Sequence, residues 1–417
     1  MCSAVASRVT IRMSPEQMHA RGVVEALRSG VPSREAASTM GSAQQPILDR
    51  FKQALAQRSA GEAADPVVFE GSFGEGKSHL LNILSFLAQE QGWAASYIVI
   101  GAGTPFGKPG VVLRELTTQA TVRGHNGRAL RELGHLFRPG ESDLWRECVA
   151  WAAQADVEDR FRALLRLYEG YRDDAEFCVR LLEDIQGAPL LKTEIRKRLR
   201  ELGEGAGFDM GGSQRADQLA HPRALVFARL LRAMGCEGLV VLVDEVERLG
   251  TFSRRQRCAA YGEIAWWWDA AQRADSYILP VFAYHTGFGE SVLEKDLAPY
   301  GPTPVLGQSV EAWVRGARLL RSNSYRLDSL TDQQYGEIYY RIRDVYQRAY
   351  GATVGNPPSR REQTIRQAIR YWITWWDLGR YYPDYQPQIS VADVPLDDRE
   401  IADSDLADGS AEEGGGG

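Results

Sequence analysis

The residues with the clearest chemical potential form a glycine-rich segment, Gly-Ser-Phe-Gly-Glu-Gly-Lys-Ser, at positions 71–78. Its spacing matches the phosphate-binding pattern G-x-x-x-x-G-K-[ST] at every fixed position. Glycines let successive backbone N–H groups turn toward an anion, and the start of a following helix adds a positive dipole end. The predicted nucleotide-binding residues are Gly71, Ser72, Phe73, Gly74, Glu75, Gly76, Lys77, Ser78 and the adjoining His79.

Two of these residues have distinct predicted roles. Lys77 would place a positive charge on the outer phosphates, and the hydroxyl of Ser78 would ligate Mg²⁺, which prefers oxygen ligands. The context also fits, because a strand-like run, 66–70, precedes the segment and an apolar helical run, 80–87, follows it. A glycine-rich turn without a ligand is the structural alternative.

A second group of chemical residues follows the apolar run Gly238-Leu-Val-Val-Leu-Val, which ends in Asp244 and Glu245. Such a run predicts a strand buried on both faces, and ligands of open α/β sheets bind at the carboxyl ends of strands. We predict that Asp244 holds the magnesium shell. Glu245 would polarise the water that attacks the terminal phosphate. The alternative is that these acids cap the next helix.

A third apolar run, 277–284, ends in His285 and Thr286. A polar side chain at this position could donate a hydrogen bond to a bound terminal phosphate, as a sensor does. Both residues are candidates, and we favour Thr286. A purely structural histidine is the alternative for His285, because no metal-type histidine spacing surrounds it.

The elements that must position these residues predict an α/β fold with a parallel sheet, as in P-loop NTPases of the additional-strand type. Strands are predicted at 66–70, 95–100, 238–244 and 277–284, separated by helical patterns. Beyond Gly287 the strand pattern stops and only helical periods recur. The predicted domains are an N-terminal helical segment (1–60), an ATPase core (61–325) with a helical insertion (about 121–205), a helical C-terminal lid (326–390) and a disordered acidic tail (391–417).

Composition limits the other function classes. The chain of 417 residues has 44% hydrophobic and 25% charged residues, which is typical of a soluble protein, and we expect no membrane span and a cytoplasmic location. The five cysteines are far apart, which indicates reduced thiols. The net charge is −6, and residues 391–417 carry −8, so the rest carries +2. This mildly basic balance permits DNA contact but gives it weak support.

Four stretches resemble the AAA+ ATPases, and more closely the ATP-binding proteins of BREX-type phage-defence systems, the BrxC/BrxD-like group. The stretches are Glu25–Arg34, Gly71–Leu80, Val243–Arg257, and Leu327–Thr331 with the helical pattern up to Tyr350. The second and third contain nucleotide motifs common to many ATPases. The closer resemblance therefore depends on the first stretch, the last stretch and the segment after Glu245. The tryptophan-rich positions 266–268 and 372–376 depart from the family pattern.

The resemblance implies an Mg²⁺-dependent ATPase of a defence complex that acts near DNA, with homo-oligomers or other defence proteins as partners. A nucleotide-dependent assembly switch with little turnover is the alternative. A small-molecule kinase is a third possible function, but the sequence shows no evident pocket for a phosphate acceptor. ATPases of this type often complete the site with arginines from a neighbouring subunit or a lid. The candidates are Arg315, Arg318 and Arg321 for a finger and Arg361, Arg366 and Arg370 for a lid sensor.

Overall fold

The computed structural model describes nine parts of the chain, with gaps between them. These are residues 13–29, 34–124, 128–130, 142–154, 158–204, 207–208, 216–298, 309–358 and 364–382. Arg361 and the acidic tail after residue 390 therefore lie outside the described residues. Within them, no helix is both long enough and apolar enough to cross a membrane.

A five-stranded, all-parallel sheet confirms the α/β class. Its strands are β1 (Val67–Gly71), β2 (Ala94–Val99), β3 (Leu239–Asp244), β4 (Ile278–His285) and β5 (Ser324–Arg326). Their order across the sheet is β2-β3-β4-β1-β5, so β4 separates β1 from β3. The side chains of β1 and β3 are buried throughout, as their continuous apolar runs predict.

The fifth strand corrects the prediction that the sheet pattern ends near Gly287. β5 has only three residues, all at least partly exposed, so it lacks the apolar run by which the other strands are predicted. It pairs in parallel with β1, and the N–H of Leu327 donates to the carbonyl of Glu70 at 2.8 Å. Pairing with a buried neighbour, rather than its own composition, makes this segment a strand.

The chain divides into two compact units. One unit lies within Gln44–Ser72 and Leu84–Leu327 and contains the sheet, and the other lies within Met1–Ala43, Phe73–Ile83 and Asp328–Pro395. The described helices of the sheet-containing unit are Gln45–Ser59, Pro109–Gln119, Asp143–Gln154, Asp159–Gly170, Ala175–Gln186, Lys192–Glu201, Ala220–Ala233, Arg254–Gln272 and Val310–Ser322. Short helical turns are Ala216–Leu219, Val246–Thr251, Thr286–Phe288, Gly289–Leu293 and Glu294–Asp296. The helix Lys77–Glu90 begins in one unit and ends in the other.

Strand β2 is fixed to a helix on its outer side. The buried hydroxyl of Ser96 donates to the carbonyl of Leu116 at 2.8 Å, in the helix Pro109–Gln119. On the other side β2 pairs with β3 along its whole length, from Ala94 opposite Leu239 to Val99 opposite Asp244. The carboxyl end of β2 is therefore held next to the end of β3.

The second unit has its own core, built from aromatic side chains. Its helices are Pro15–Ser29, Arg34–Met40, Asp332–Tyr350 and Ile365–Tyr381. Tyr346, Trp372 and Trp376 are buried and pack together with Val23 and Val24 of the first helix. Trp267 and Trp268 of the sheet-containing unit are buried as well. These tryptophans therefore serve as core residues, not as exposed stacking platforms.

Candidate functional site

The glycine-rich segment connects a buried strand to a helix. β1 ends at Gly71, and the helix Lys77–Glu90 begins at the lysine of the motif. Gly74 and Gly76 have φ angles of +76° and +97°, in the left-handed region that side chains other than glycine rarely adopt. A Cβ atom at Gly74 would also lie 2.7 Å from the Cβ of Thr364. The backbone thus turns in the way that an anion-binding loop requires.

Lys77 is largely buried at the start of the helix, with 9% of its surface exposed. Its ammonium group lies 5.5 Å from the centre of the Phe73 ring, which is itself half exposed within the loop. Such a cation–π contact is worth roughly 0.5–1 kcal/mol at an exposed ring. The contact is weak enough to be exchanged for a phosphate, with which an ammonium forms stronger charged hydrogen bonds.

His79 has a defined partner within the same compact unit. Its Nε2 lies 2.8 Å from the carbonyl oxygen of Gly41, and a carbonyl only accepts, so Nε2 carries the proton. Burial lowers the pKa of His79, which favours the neutral ring. The neighbouring carbonyl of Met40 accepts from Nη1 of Arg341 at 2.7 Å. His79 therefore anchors the helix that carries the loop, and its predicted contact with nucleotide stays a prediction.

Asp244 ends β3 with 4% of its surface exposed, and both of its carboxylate oxygens are engaged. Oδ1 accepts from the backbone N–H of Glu245 at 2.8 Å, and Oδ2 accepts from the hydroxyl of Tyr97 at 2.5 Å. Each carboxylate oxygen has two lone pairs and can accept more than one hydrogen bond. These two donors orient the carboxylate.

Glu245 has an unusual backbone. Its φ angle of +57° lies in the left-handed region, which costs free energy for a residue with a Cβ atom and is concentrated at functional sites. Its carboxylate forms an ion pair with Arg248. Glu245 precedes the helical turn Val246–Thr251, but its side chain makes no capping hydrogen bond to that turn. Glu245 thus stands at the N-cap position of this turn without capping it through its side chain.

The two sensor candidates differ in their environment. Nδ1 of His285 accepts from the N–H of Gly287 at 3.0 Å, and the backbone N–H of His285 donates to Oε2 of Glu247 at 3.1 Å. Thr286 is 7% exposed, and its buried hydroxyl has no hydrogen-bond partner among the described residues. An unpaired buried hydroxyl costs about 1–3 kcal/mol. This cost would be recovered if a ligand atom accepted from it.

The register of the sheet brings the candidate residues that end three strands, or directly follow them, to one side of the sheet. Gly71 at the end of β1 lies opposite His285 at the end of β4, and β3, which ends in Asp244, is the other neighbour of β4. Parallel strands have their carboxyl ends on the same side, where α/β sheets bind ligands. Gly71, Asp244, Glu245, His285 and Thr286 therefore share this side of the sheet. The rest of the loop, from Phe73 onward, belongs to the other compact unit.

The donor atoms fit magnesium as a partner of phosphate. Ser78 offers a hydroxyl oxygen and Asp244 a carboxylate, and Mg²⁺ is usually bound by one or two protein oxygens together with phosphate and water. Among the described residues, no three His, Cys, Asp or Glu side chains form a group that could hold a metal ion. Whether Ser78 and Asp244 bind Mg²⁺ stays a prediction.

The arginine candidates are mostly engaged within their own units. Arg315 pairs with Asp269, and Arg321 contacts Glu294 at 2.9 Å. Nη2 of Arg370 donates to the carbonyl of Ser29 at 3.2 Å. No ion pair with another described residue involves Arg318 or Arg366. Arg321 also interacts electrostatically with Glu70 and Tyr284, the residues just before the ends of β1 and β4. The roles of these arginines stay predictions.

Tyr97 and Arg248 are site residues that the sequence pattern did not predict. Arg248 stands three residues after Glu245, so its pairing could have been proposed from the sequence. Tyr97 gives no such signal, because it lies 147 residues from Asp244 and reaches it only through the pairing of β2 with β3.

A family model described as "BREX system ATP-binding protein BrxC/D" matches residues 16–137 and 152–374, which is most of the chain. The chain belongs to the BrxC/BrxD family. The match includes the glycine-rich loop, both acids at the end of β3 and both sensor candidates. No curated protein and no solved structure matches the chain. The BrxC/BrxD assignment confirms the resemblance seen in the sequence and makes the chain an ATP-binding protein of BREX phage-defence systems.

Proposed function

We propose that this BrxC/BrxD protein hydrolyses ATP with the help of Mg²⁺. ATP would bind through the backbone of Gly71–Ser78, with Lys77 on its outer phosphates. Ser78 and Asp244 would hold Mg²⁺, which when bound would supply positive charge for the phosphates. Glu245 would accept the proton of the attacking water, and Thr286 would donate a hydrogen bond to the terminal phosphate.

Glu245 carries this proposal. A module that only binds ATP needs phosphate donors and a cation, but it does not need a strained glutamate beside the magnesium-binding aspartate. The φ angle of +57° at Glu245 and its place after β3 support a role in hydrolysis. The strand order supports it too, because β4 between β1 and β3 is the arrangement of additional-strand ATPases, which sense the phosphate from the end of β4.

A second candidate function is a nucleotide-gated assembly switch with little turnover. The ion pair of Glu245 with Arg248 favours it, since a carboxylate held by a guanidinium is less available to take a proton from water. In this function ATP would stabilise a homo-oligomer or a complex with other defence proteins. Three further parts of the proposed function come from the sequence and the family. They are contact with DNA, a cytoplasmic location and a lid formed by residues 326–390.

The deciding experiment compares phosphate release by the parent and by Glu245→Gln, with and without duplex DNA. The amide keeps the size of the side chain but removes its basicity, so ATP binding should persist while hydrolysis is nearly lost. Turnover at the parental rate in Glu245→Gln would refute the catalytic role. The assembly switch would be supported instead if the parent protein binds ATP, assembles into a larger species when ATP is added, and releases no phosphate.

A further inference from the structure

We propose that Tyr97 is a positioning residue that holds the Asp244 carboxylate in the orientation needed to accept a magnesium-bound water. This inference rests on the proposed function and extends it to a residue outside every nucleotide motif. It begins from one contact, in which the Tyr97 hydroxyl donates to Oδ2 of Asp244 at 2.5 Å.

The sheet brings the two residues together. Tyr97 lies opposite Leu242 in the register of β2 and β3, so Asp244 is two residues further toward the carboxyl end. Two residues of a parallel strand correspond to roughly 6.6 Å, a distance that a tyrosine side chain spans. A shorter hydroxyl, such as that of serine or threonine, would not reach the carboxylate from this position.

The carboxylate needs orientation because it is almost fully buried. A buried charge is costly unless it is hydrogen-bonded, and a single donor would leave the carboxylate able to rotate. The N–H of Glu245 fixes Oδ1 and the hydroxyl of Tyr97 fixes Oδ2, so the plane of the group is set by two elements of the fold. The lone pairs of both oxygens then point in fixed directions.

The strand that carries Tyr97 is held firmly enough for this task. Ser96, the residue before it, is buried and bonded through its hydroxyl to the carbonyl of Leu116. Tyr97 itself is only partly buried, so the loss of its hydroxyl should not disturb the core. Groups that orient a metal ligand from outside commonly contribute about ten- to a hundredfold to metal affinity or activity.

The test measures how much Mg²⁺ is required for ATP binding. ATP is titrated onto the full chain at a series of MgCl₂ concentrations and in EDTA, for the parent and for Tyr97→Phe. We expect Tyr97→Phe to raise the half-saturating Mg²⁺ concentration about tenfold. Its ATP affinity in EDTA and its melting temperature should stay near the parental values, a combination that a merely structural hydroxyl would not give.

The matched control is Tyr171→Phe, which removes another tyrosine-to-carboxylate hydrogen bond, the 2.7 Å contact with Glu201. It should leave the Mg²⁺ requirement unchanged. A double-mutant cycle with Asp244→Asn then shows whether Tyr97 acts through Asp244, because Tyr97→Phe should have little further effect in that background.

The outcomes separate the inference from the proposed function. If ATP binding by the parent depends on Mg²⁺ and Tyr97→Phe behaves like the parent, the positioning role is overturned while the proposed function stands. The positioning role would also be overturned if the effects of Tyr97→Phe and Asp244→Asn on the Mg²⁺ requirement were fully additive. If the parent binds ATP equally well with and without Mg²⁺, the magnesium-dependent function fails, and the inference fails with it.

Discussion

The guanidinium of Arg248 forms an ion pair with the carboxylate of Glu245, three residues before it. Both side chains are partly exposed, at 43% and 36%, so the pair can open without unfolding the strand end. The proposed base is therefore engaged by Arg248. Hydrolysis would require its release from Arg248.

We predict that Arg248→Gln raises the rate of phosphate release per bound ATP several-fold while ATP affinity changes little. The substitution removes the charge that holds Glu245 but keeps a polar side chain. Single-turnover hydrolysis and a separate ATP titration measure the two quantities. Arg255→Gln, which removes an exposed charge from the nearby helix, is the control. A loss of hydrolysis as large as in Glu245→Gln would show that Arg248 assists the base instead of restraining it.

Lys77→Ala should weaken ATP binding about ten- to a hundredfold, because charged hydrogen bonds to phosphate contribute roughly 1.5–3 kcal/mol. The loop backbone would remain, so some affinity should persist. Isothermal titration with ATP measures the change. Lys52→Ala, an exposed lysine in the helix Gln45–Ser59, should bind like the parent. Parental affinity in Lys77→Ala would place the nucleotide elsewhere.

Thr286→Val is expected to lower turnover and to leave stability unchanged or slightly raised. Valine has the shape of threonine, and replacing a buried hydroxyl that has no partner removes a cost of about 1–3 kcal/mol. Phosphate release and thermal unfolding are measured together. His285→Gln is the comparison, and a loss of turnover in that variant alone would assign the sensor to His285.

The stability of the protein should decrease at acidic pH partly through His79. Burial lowers its pKa, so below about pH 6.5 the unfolded chain binds a proton that the folded chain excludes. The contribution of neutral His79 is therefore complete above about pH 6.5 and is lost as the pH falls toward its folded pKa. His79→Gln keeps an N–H donor for Gly41 and does not titrate.

We expect the melting temperature of His79→Gln to fall less than that of the parent between about pH 7.5 and 5.5. His19→Gln, at an exposed histidine of the helix Pro15–Ser29, is the control for a histidine-to-glutamine change elsewhere. An equal decrease in the parent and in both variants would mean that other groups control the acid response.

The sequence by itself determined those parts of the candidate site whose residues are close together along the chain. The glycine-rich loop, Lys77 and Ser78 follow from their spacing, and the buried run before Asp244 and Glu245 follows from its composition. Four of the five strands were predictable for the same reason, because each contains enough apolar residues to be buried on its own. The resemblance to the BrxC/BrxD family was also visible in such local stretches.

Only the tertiary structure decided which distant residues meet. The three-residue strand β5 forms because it lies beside β1, and β4 separates β1 from β3 because of how the whole sheet packs. Tyr97 reaches Asp244 across 147 residues of chain, and His79 reaches Gly41 across 38. A local pattern contains no information on such pairings, because they arise from strand register and burial across the whole fold. In a sheet, a register shift of one residue would turn every side chain of the strand to the opposite face.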